Sequence, residues 1–378
     1  MDAFYDPEAL VGAVLNQRWR LGGLRGEGGI GIVYEAEGLH GEGARAVKIL
    51  RREFCEDPQV VQRFLEEATA TARIQHERIA QVHEATRAED GSPYLVMELL
   101  RGMPLATVMN RGRMPVEQAV AIVRGLLAGL VAAHQAGVVH RDLKPDNIFV
   151  TLDEQGVKDV KILDFGVARV MDAAGGMARK TRTGMLLGTP GYMSPEQIKN
   201  VKTADSRADL WSAGVIFYEM LTGSLAFEAE NDFARITKVL TAAATPIEQV
   251  APQYAHWGSF FTKALASDPE ARFQSAAEMD AALGEVASGR GLPVAPPTPV
   301  AVAPSDAASV ARAGPFGRTD TAVSAAVAPS AVSSGRHVEP LVQVLPSPQR
   351  GVRGELVVVI AVVSLLVGIA LGYLMGAG

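Results

Sequence analysis

The sequence has 378 residues, of which 48% are hydrophobic, and a formal net charge of -6. A chain of this length and composition can bury one large core or two smaller ones. Its charged residues form no long block of one sign, which argues against nucleic-acid binding through a basic surface. The one cysteine, Cys55, cannot form an internal disulfide, and this fits a reducing compartment.

Residues 1–18 are interpreted as an N-terminal extension. Two acids precede their short apolar run and no basic residue begins it, so a secretory signal is not expected. From Trp19 to about Gly289 the chain mixes apolar periodic segments, charges and turn residues as a folded domain does.

A glycine-rich stretch, LRGEGGIGIV, begins at Leu24. Gly26, Gly28 and Gly31 have the GxGxxG spacing, in which bare backbone can approach phosphate oxygens. A dinucleotide-binding fold would need a helix to start within these glycines. Instead, two β-rich runs, 30–37 and 44–50, flank a glycine-containing turn, so the pattern favours a hairpin that covers a nucleotide.

Lys48 lies among apolar residues in AVKIL, where a buried ammonium needs an anionic partner. A surface lysine on an edge strand is the alternative. The next stretch, VVQRFLEEATATARIQ, predicts a helix with one apolar face made of Val61, Phe64, Leu65 and Ala68. Glu66 and Glu67 on this helix are both candidate partners for Lys48.

The stretch VVHRDLKPDNIFV, 138–150, places three polar side chains between two apolar runs. Transfer of a γ-phosphoryl group needs a carboxylate to accept a proton, a cation near the transferred group, and metal ligands. Asp142, Lys144 and Asn147 can fill these roles in that order. Asp164 ends the apolar strand of VKILDFG and suits a second ligand of Mg²⁺, which prefers oxygen.

Beyond the domain the composition changes to Ala, Pro, Val and Ser, which predicts a disordered linker over residues 290–355. A loop within a domain is uncommon at that length. The uncharged segment 356–375 is long enough, at about 1.5 Å per residue, to cross roughly 30 Å of hydrocarbon as a helix. A buried core helix is the alternative, but the segment has no polar face.

Arg350 and Arg353 precede this predicted transmembrane helix, which favours a single-pass protein of the inner membrane with its domain in the cytoplasm. Small residues recur at every fourth position of the helix and would form one stripe. They are Ser364, Gly368, Gly372 and Gly376. Such a stripe permits close helix pairing, so a homodimer is a hypothesis.

In order and spacing, these motifs resemble the serine/threonine protein kinases, in particular the eukaryotic-like (Hanks-type) kinases of bacteria. The resemblance spans roughly residues 19–283. It implies an α+β, bilobal protein-kinase fold with an N-lobe at 19–97, a hinge at 98–101 and a C-lobe at 102–289. It also implies an enzyme that uses ATP and Mg²⁺, or alternatively Mn²⁺, to phosphorylate Ser and Thr of substrate proteins.

The resemblance assigns roles to residues. Lys48, held by Glu67, is the strand lysine; Asp142 is the catalytic base, aided by Lys144. Asn147 and Asp164 are metal ligands, and Met97 is the gatekeeper. The residues implied to bind ATP are Leu24, Gly26, Gly28, Gly29, Gly31, Val33, Ala46 and Lys48, with the backbone of Glu98 and Leu100.

GTPGYMSPE, 188–196, resembles the substrate-docking segment, although many members have APE where this chain has SPE. Asp209 and Arg272 match structural anchors of the C-lobe. Thr71 is a second departure, because the family often has a larger apolar residue there, and it predicts a less firmly packed helix.

Arg141, directly before Asp142, marks the subgroup in which a phosphorylated activation segment pairs with that arginine. Thr181 and Thr183 match the positions at which bacterial members autophosphorylate. The alternative is that both are ordinary loop threonines.

Two other classes of protein remain open. A pseudokinase would bind nucleotide and relay signals by docking, but every catalytic position is present here. A small-molecule phosphotransferase of related fold can share the HxD loop, but such enzymes usually lack a segment like 188–196.

Overall fold

The computed structural model describes residues 7–153, 156–165, 170 and 190–290. The chain divides into two units, 1–299 and 300–378, and all described residues belong to the first. Thr181 and Thr183, the linker beyond residue 290 and the predicted helix at 356–375 lie outside the described residues.

The first lobe is built on a six-stranded antiparallel sheet with the order β1-β2-β3-β4-β6-β5. Its strands are β1 (Val14–Leu15), β2 (Trp19–Glu27), β3 (Gly31–Gly38), β4 (Gly43–Leu50), β5 (Val82–Arg87) and β6 (Pro93–Glu98). The predicted runs at 30–37 and 44–50 are β3 and β4, and they pair along their full length. The predicted pairing of these two runs is therefore confirmed, but the turn with Gly28 and Gly29 joins β2 to β3, one hairpin earlier than predicted.

One face of this sheet carries two helices, α1 (Arg52–Cys55) and α2 (Pro58–Ala72). The side chain of Asp57 accepts a hydrogen bond from the backbone N–H of Gln59 and caps α2 at its N-terminus. The helix packs through its apolar side, which includes Val60, Val61, Phe64 and Ala68. The hydroxyl of Thr71 donates to the carbonyl oxygen of Glu67 at 2.9 Å, so this buried polar residue is satisfied within the helix.

The N-terminal segment covers the opposite face of the sheet. β1 pairs with β2, and Leu10 and Leu15 pack against a cluster that contains Trp19 and Tyr34. The Tyr34 hydroxyl donates to the carbonyl oxygen of Pro7 at 2.6 Å. Residues 7–15 thus contribute to the core of the first lobe, which their interpretation as a separate extension did not anticipate.

The second lobe is mainly helical and contains a three-stranded sheet of β7 (Met103–Pro104), β8 (Ile148–Asp153) and β9 (Gly156–Ile162). Its described helices are α3 (Leu105–Met109), α4 (Val116–Gln135), α5 (Pro195–Asn200), α6 (Arg207–Thr222), α7 (Asp232–Thr241), α8 (Ile247–Val250), α9 (Gly258–Ala264) and α10 (Ala276–Ala287). A β-rich first lobe followed by a helical second lobe is the architecture that the sequence predicts.

Helix α4 runs through the core of the second lobe. Among the described residues it is the one helix whose length and hydropathy would allow it to cross a membrane. Its apolar residues Ile122, Leu126 and Leu130 are nevertheless fully buried in the core. A Cβ on Gly129 would come within 2.7 Å of Ile162, so glycine permits the close contact between α4 and β9. The hydrophobicity of α4 therefore reflects burial in the lobe.

Arg272 anchors the second lobe. Its side chain is buried and donates to both carboxylate oxygens of Glu196, at 2.7 and 2.8 Å. The guanidinium also lies 4.8 Å from the ring of Trp211, on α6, and donates to the carbonyl oxygen of Ala266. Burial opposes ionisation of Glu196, but the hydrogen bonds and charge of Arg272 outweigh it and lower the pKa of the carboxyl.

Candidate active site

The register of the first sheet determines where Lys48 points. Val33 in β3, Lys48 in β4 and Leu95 in β6 are direct partners across three strands. Because partners in an antiparallel sheet share a face, Lys48 lies on the side away from the Tyr34 cluster. Ala46 pairs with Met97 one row further on. The ATP-site residues predicted on β3 and β4 therefore share one face with Lys48.

Lys48 spans the two lobes through an ion pair. Its side chain is 3% exposed, and its Nζ donates to Oδ1 of Asp164 at 2.6 Å. Burial opposes ionisation of Asp164, but the charge and hydrogen bond of Lys48 outweigh it and lower the pKa of the carboxyl. Asp164 is therefore an ionised carboxylate at neutral pH.

The predicted partners of Lys48 on α2 differ in exposure. Glu67 is partly buried, whereas Glu66 is exposed and accepts a hydrogen bond from Gln62 at 2.7 Å. Within the described part of the chain, Lys48 forms its ion pair with Asp164 and with neither glutamate. Val170 is buried in the cluster beneath α2. Because Lys48 pairs with Asp164 instead, the Lys48–Glu67 pair is not formed in this conformation and stays a prediction.

Asp209 of α6 holds in place the predicted catalytic loop, HRDLKPDN at 140–147. Its fully buried carboxylate accepts the backbone N–H groups of His140 at 2.9 Å and Arg141 at 2.8 Å, and lies 2.8 Å from Nε2 of His134. Arg141 has a φ of 63°, in the left-handed region, which costs about 1–3 kcal/mol for a residue other than glycine. The two charge-assisted hydrogen bonds that the backbone N–H groups of His140 and Arg141 donate to Asp209 offset this strain next to Asp142.

His140 connects the catalytic loop with the segment that carries Asp164. Its Nε2 lies 2.7 Å from the carbonyl oxygen of Leu163, and its Nδ1 lies 3.2 Å from the backbone N–H of Asp142. A carbonyl can only accept and an N–H can only donate, so these contacts assign the neutral tautomer with its hydrogen on Nε2. The ring also packs 4.7 Å from that of Phe165.

The polar side chains of the catalytic loop converge on Asp142. Lys144 Nζ donates to Oδ2 of Asp142 at 2.9 Å, and Nδ2 of Asn147 donates to the same oxygen at 3.1 Å. Asn147 also donates to the backbone carbonyl of Asp142 at 2.7 Å. The backbone N–H of Leu163 bonds to the carbonyl of Asn147 at 2.8 Å, which brings Asn147 close to Asp164. The structure thus brings these four predicted residues together.

Asn147 and Asp164 have the donors that a divalent cation requires. The amide nitrogen of Asn147 faces Asp142, which leaves its amide oxygen available as a ligand. Among the described residues no group of three or more His, Cys, Asp or Glu could hold a metal. One carboxylate and one amide suit a cation that takes its other ligands from phosphate and water, as Mg²⁺ commonly does.

Gly26, near the end of β2, and Gly31, at the start of β3, differ in whether the fold requires a glycine there. A Cβ on Gly31 would lie 2.8 Å from the carbonyl oxygen of Ile49, so packing on β4 requires glycine there. A Cβ on Gly26 would meet no atom within 4 Å. The absence of a side chain at Gly26 is not required by the fold and leaves the backbone accessible to a ligand. This fits the predicted phosphate contact.

The hinge contains a contact that the sequence did not reveal. The side chain of Glu98 accepts hydrogen bonds from Lys161 Nζ, at 2.8 and 3.1 Å, and from the backbone N–H of Gln81 at 2.8 Å. The resemblance implies a role only for the backbone of Glu98. Lys161 lies on β9, three residues before Asp164, so its ion pair links the hinge to the strand that carries this carboxylate.

Comparisons with known proteins agree with this fold and site. A family model described as "Protein kinase domain" matches residues 19–282. The serine/threonine-protein kinase pkn3 of Myxococcus xanthus is 38% identical over 243 residues, which cover 64% of this chain and 44% of pkn3. The serine/threonine-protein kinase PknA of Mycobacterium tuberculosis is 35% identical over 369 residues, covering 93% of this chain and 82% of PknA.

Among solved structures, the PknI kinase domain of Mycobacterium tuberculosis has a TM-score of 0.57 at 22% identity and covers 73% of this chain and 98% of that domain. At this identity the likeness supports the fold alone. The family model and the relatives go further. The chain belongs to the protein kinase family, among the bacterial serine/threonine kinases of Hanks type. Its catalytic domain is therefore that of an enzyme which uses ATP and a divalent metal.

Proposed function

We propose that the chain transfers the γ-phosphate of Mg²⁺-ATP to serine and threonine hydroxyls of proteins. The observation that supports this most directly is the 2.6 Å contact between Lys48 of the first lobe and Asp164 of the second. It brings a cation for phosphate and a carboxylate for metal together from positions 116 residues apart. Asp142 joins them through His140, which contacts both the Asp142 backbone and the carbonyl before Asp164.

The catalytic loop would carry the proton transfer. Asp142 orients the attacking hydroxyl and accepts its proton, and Lys144 places a positive charge beside the transferred group. Asn147 holds Asp142 in position through its amide nitrogen and presents its amide oxygen to the metal, together with Asp164. The bound Mg²⁺ would supply charge compensation for the phosphates.

The first lobe would bind the nucleotide. Lys48 contacts the α- and β-phosphates once it has left Asp164, and Glu67 then replaces Asp164 as its partner. The backbone of Glu98 and Leu100 bonds to adenine, which lies between apolar residues of the lobe. The remaining residues of the proposed ATP site are Leu24, Gly26, Gly28, Gly29, Gly31, Val33 and Ala46.

Autophosphorylation of Thr181 and Thr183 is part of the proposal. Arg141 is anchored beside Asp142 and donates to the carbonyl oxygen of Ala204, at 3.2 and 3.0 Å. A phosphothreonine paired with Arg141 would add charge-assisted hydrogen bonds next to the catalytic base.

Incubation of the full-length chain with Mg²⁺ and ATP is expected to place phosphate on Thr181 and Thr183, measured by phosphosite mass spectrometry. The Thr181→Ala/Thr183→Ala chain is expected to phosphorylate a basic test protein about tenfold more slowly, because a loss of roughly 1.4 kcal/mol in charge-assisted contacts corresponds to that factor. The Asp142→Asn chain controls for phosphate acquired in the expression host. ATP-dependent phosphate confined to other residues would refute this part, and wild-type protein that transfers no phosphate would refute the function.

Membrane attachment is the other part of the proposal, and it rests on the sequence of 356–375. In cells the full chain is expected in the membrane fraction, and a chain that ends at residue 355 in the soluble fraction. Replacing Gly368 and Gly372 by Ile should leave the chain in the membrane but reduce cross-linked dimer, because larger side chains keep helices apart. A truncated chain that stays in the membrane would contradict the anchor, and an unchanged dimer yield would contradict the stripe.

A further inference from the structure

Arg51 binds the tip of the glycine-rich loop. Its Nε donates to the carbonyl oxygen of Gly28 at 3.0 Å, and its Nη2 donates to Oε2 of Glu27 at 2.8 Å. Arg51 follows β4 directly and stands three residues after Lys48. The segment that carries Lys48 on β4 therefore also carries, just beyond the strand, the arginine that holds the glycine-rich loop.

The backbone of Arg51 gives the guanidinium a fixed base. Its N–H donates to the carbonyl of Ile30 at 2.9 Å, and its carbonyl accepts the N–H of Phe54 at 2.9 Å. Phe54 is buried in the cluster beneath α2. The side chain of Arg51 therefore extends from a rigid corner of the lobe onto a turn rich in glycine, which has little conformational preference of its own.

This contact determines the direction of one particular N–H group. No cis peptide bond occurs among the described residues, so the Gly28–Gly29 peptide is trans and planar. In a trans peptide the N–H points opposite to the C=O. With the Gly28 carbonyl held by Arg51, the Gly29 N–H is directed away from the guanidinium.

The neighbouring backbone groups show which donor remains. The N–H of Gly28 is used within the turn, where it donates to the carbonyl of Gly31 at 2.8 Å. The N–H of Gly29 donates to no other residue in the part of the chain that the structure describes. Backbone N–H groups of this kind in glycine-rich turns bind anions.

We propose that Arg51 is a positioning residue which orients the Gly28–Gly29 peptide so that the Gly29 N–H faces a nucleotide phosphate. The inference rests on the proposed function, since it presumes that ATP lies beneath this loop. Without Arg51 the Gly28–Gly29 peptide can rotate. ATP must then order this peptide when it binds, and the conformational entropy lost in that step weakens binding. Adenosine has no phosphate, so its binding does not depend on this peptide.

The test compares the binding of two probes to the full-length chain in detergent by calorimetry. In Arg51→Met the dissociation constant of a non-hydrolysable ATP analogue with Mg²⁺ is expected to rise about tenfold, the equivalent of roughly 1.4 kcal/mol. The dissociation constant of adenosine is expected to stay unchanged. Arg52→Met is the matched control, because Arg52 is the exposed next residue and forms no ion pair with another described residue.

Glu27→Gln separates the two contacts of Arg51. It removes the carboxylate but leaves the bond to Gly28, so analogue binding is expected to weaken less than in Arg51→Met. Equal effects of Arg51→Met on analogue and adenosine would overturn the inference, as would values equal to those of Arg52→Met. A wild-type chain that fails to bind the analogue would instead defeat the proposed function.

Discussion

The Asp142→Asn chain is expected to transfer phosphate about 10² to 10⁴ times more slowly than the wild type, the range for loss of a general base. Asparagine has nearly the same shape and can still accept a hydrogen bond from Lys144, but it cannot accept the hydroxyl proton. The effect should therefore appear in kcat at saturating ATP. Initial rates with radiolabelled ATP and a basic test protein measure it.

Asp153→Asn is the matched control, because Asp153 is an exposed carboxylate at the end of β8. It is expected to retain the wild-type rate, and both variants should bind adenosine and unfold as the wild type does. Equal rates for Asp142→Asn and the wild type would refute Asp142 as the base. A wild-type chain that binds ATP but transfers no phosphate would indicate a pseudokinase.

The Arg272→Met variant is expected to lower the free energy of unfolding by about 3–5 kcal/mol, the range for breaking a buried ion pair on one side. It leaves Glu196 as a charged, partly buried group without its principal partner and removes the packing on Trp211. Urea denaturation followed by tryptophan fluorescence measures the change. Because Glu196 belongs to segment 188–196, activity should fall as well.

A second variant shows whether the loss comes from the isolated charge. Arg272→Met/Glu196→Leu should be more stable than Arg272→Met, since it removes the unpaired carboxylate. Arg124→Met, which breaks the exposed pair of Arg124 with Asp280, should cost only about 0–1 kcal/mol. Similar losses in Arg272→Met and Arg124→Met would contradict the anchoring role.

The same pair predicts how stability depends on pH. The pKa of Glu196 is lower in the folded chain than its ordinary value, so the unfolded state binds more protons in the acid range. The stabilisation is complete above the unfolded pKa of a glutamate and is lost as pH falls through the folded pKa. Arg272→Met should therefore show a weaker acid destabilisation than the wild type.

The sequence predicted those parts of the site that depend on local pattern. The two β-rich runs located β3 and β4, and hence the strand that carries Lys48. The apolar positions of α2 left both Glu66 and Glu67 open as partners of Lys48, and only the resemblance favoured Glu67, which is the less exposed of the two in the structure. Asp142, Lys144 and Asn147 belong to one short loop, so their spacing along the chain was enough to predict that their side chains lie close together.

Contacts between distant segments were harder to predict, because no local pattern encodes them. No local pattern indicated that the Glu98 side chain binds Lys161, or that Arg51 binds Gly28. Residues 7–15 belong to the segment interpreted as an N-terminal extension, yet Leu10 and Leu15 pack against the cluster of Trp19 and Tyr34 on one face of the sheet. The partner of Lys48 depends on which of two carboxylates lies nearer in a given conformation, and residue type alone does not settle this.

The ion pair of Lys48 with Asp164 also bears on which form of the nucleotide the cleft accepts. Each side chain neutralises the other, so neither is available until the pair separates. A triphosphate arriving alone could draw Lys48 away, but it would leave the Asp164 carboxylate facing negative oxygens. A triphosphate accompanied by a divalent cation offers a counter-charge to both. If the chain has the proposed function, the pair would make metal and nucleotide affinities interdependent, and the cleft would select the metal complex over the free anion before any bond is broken.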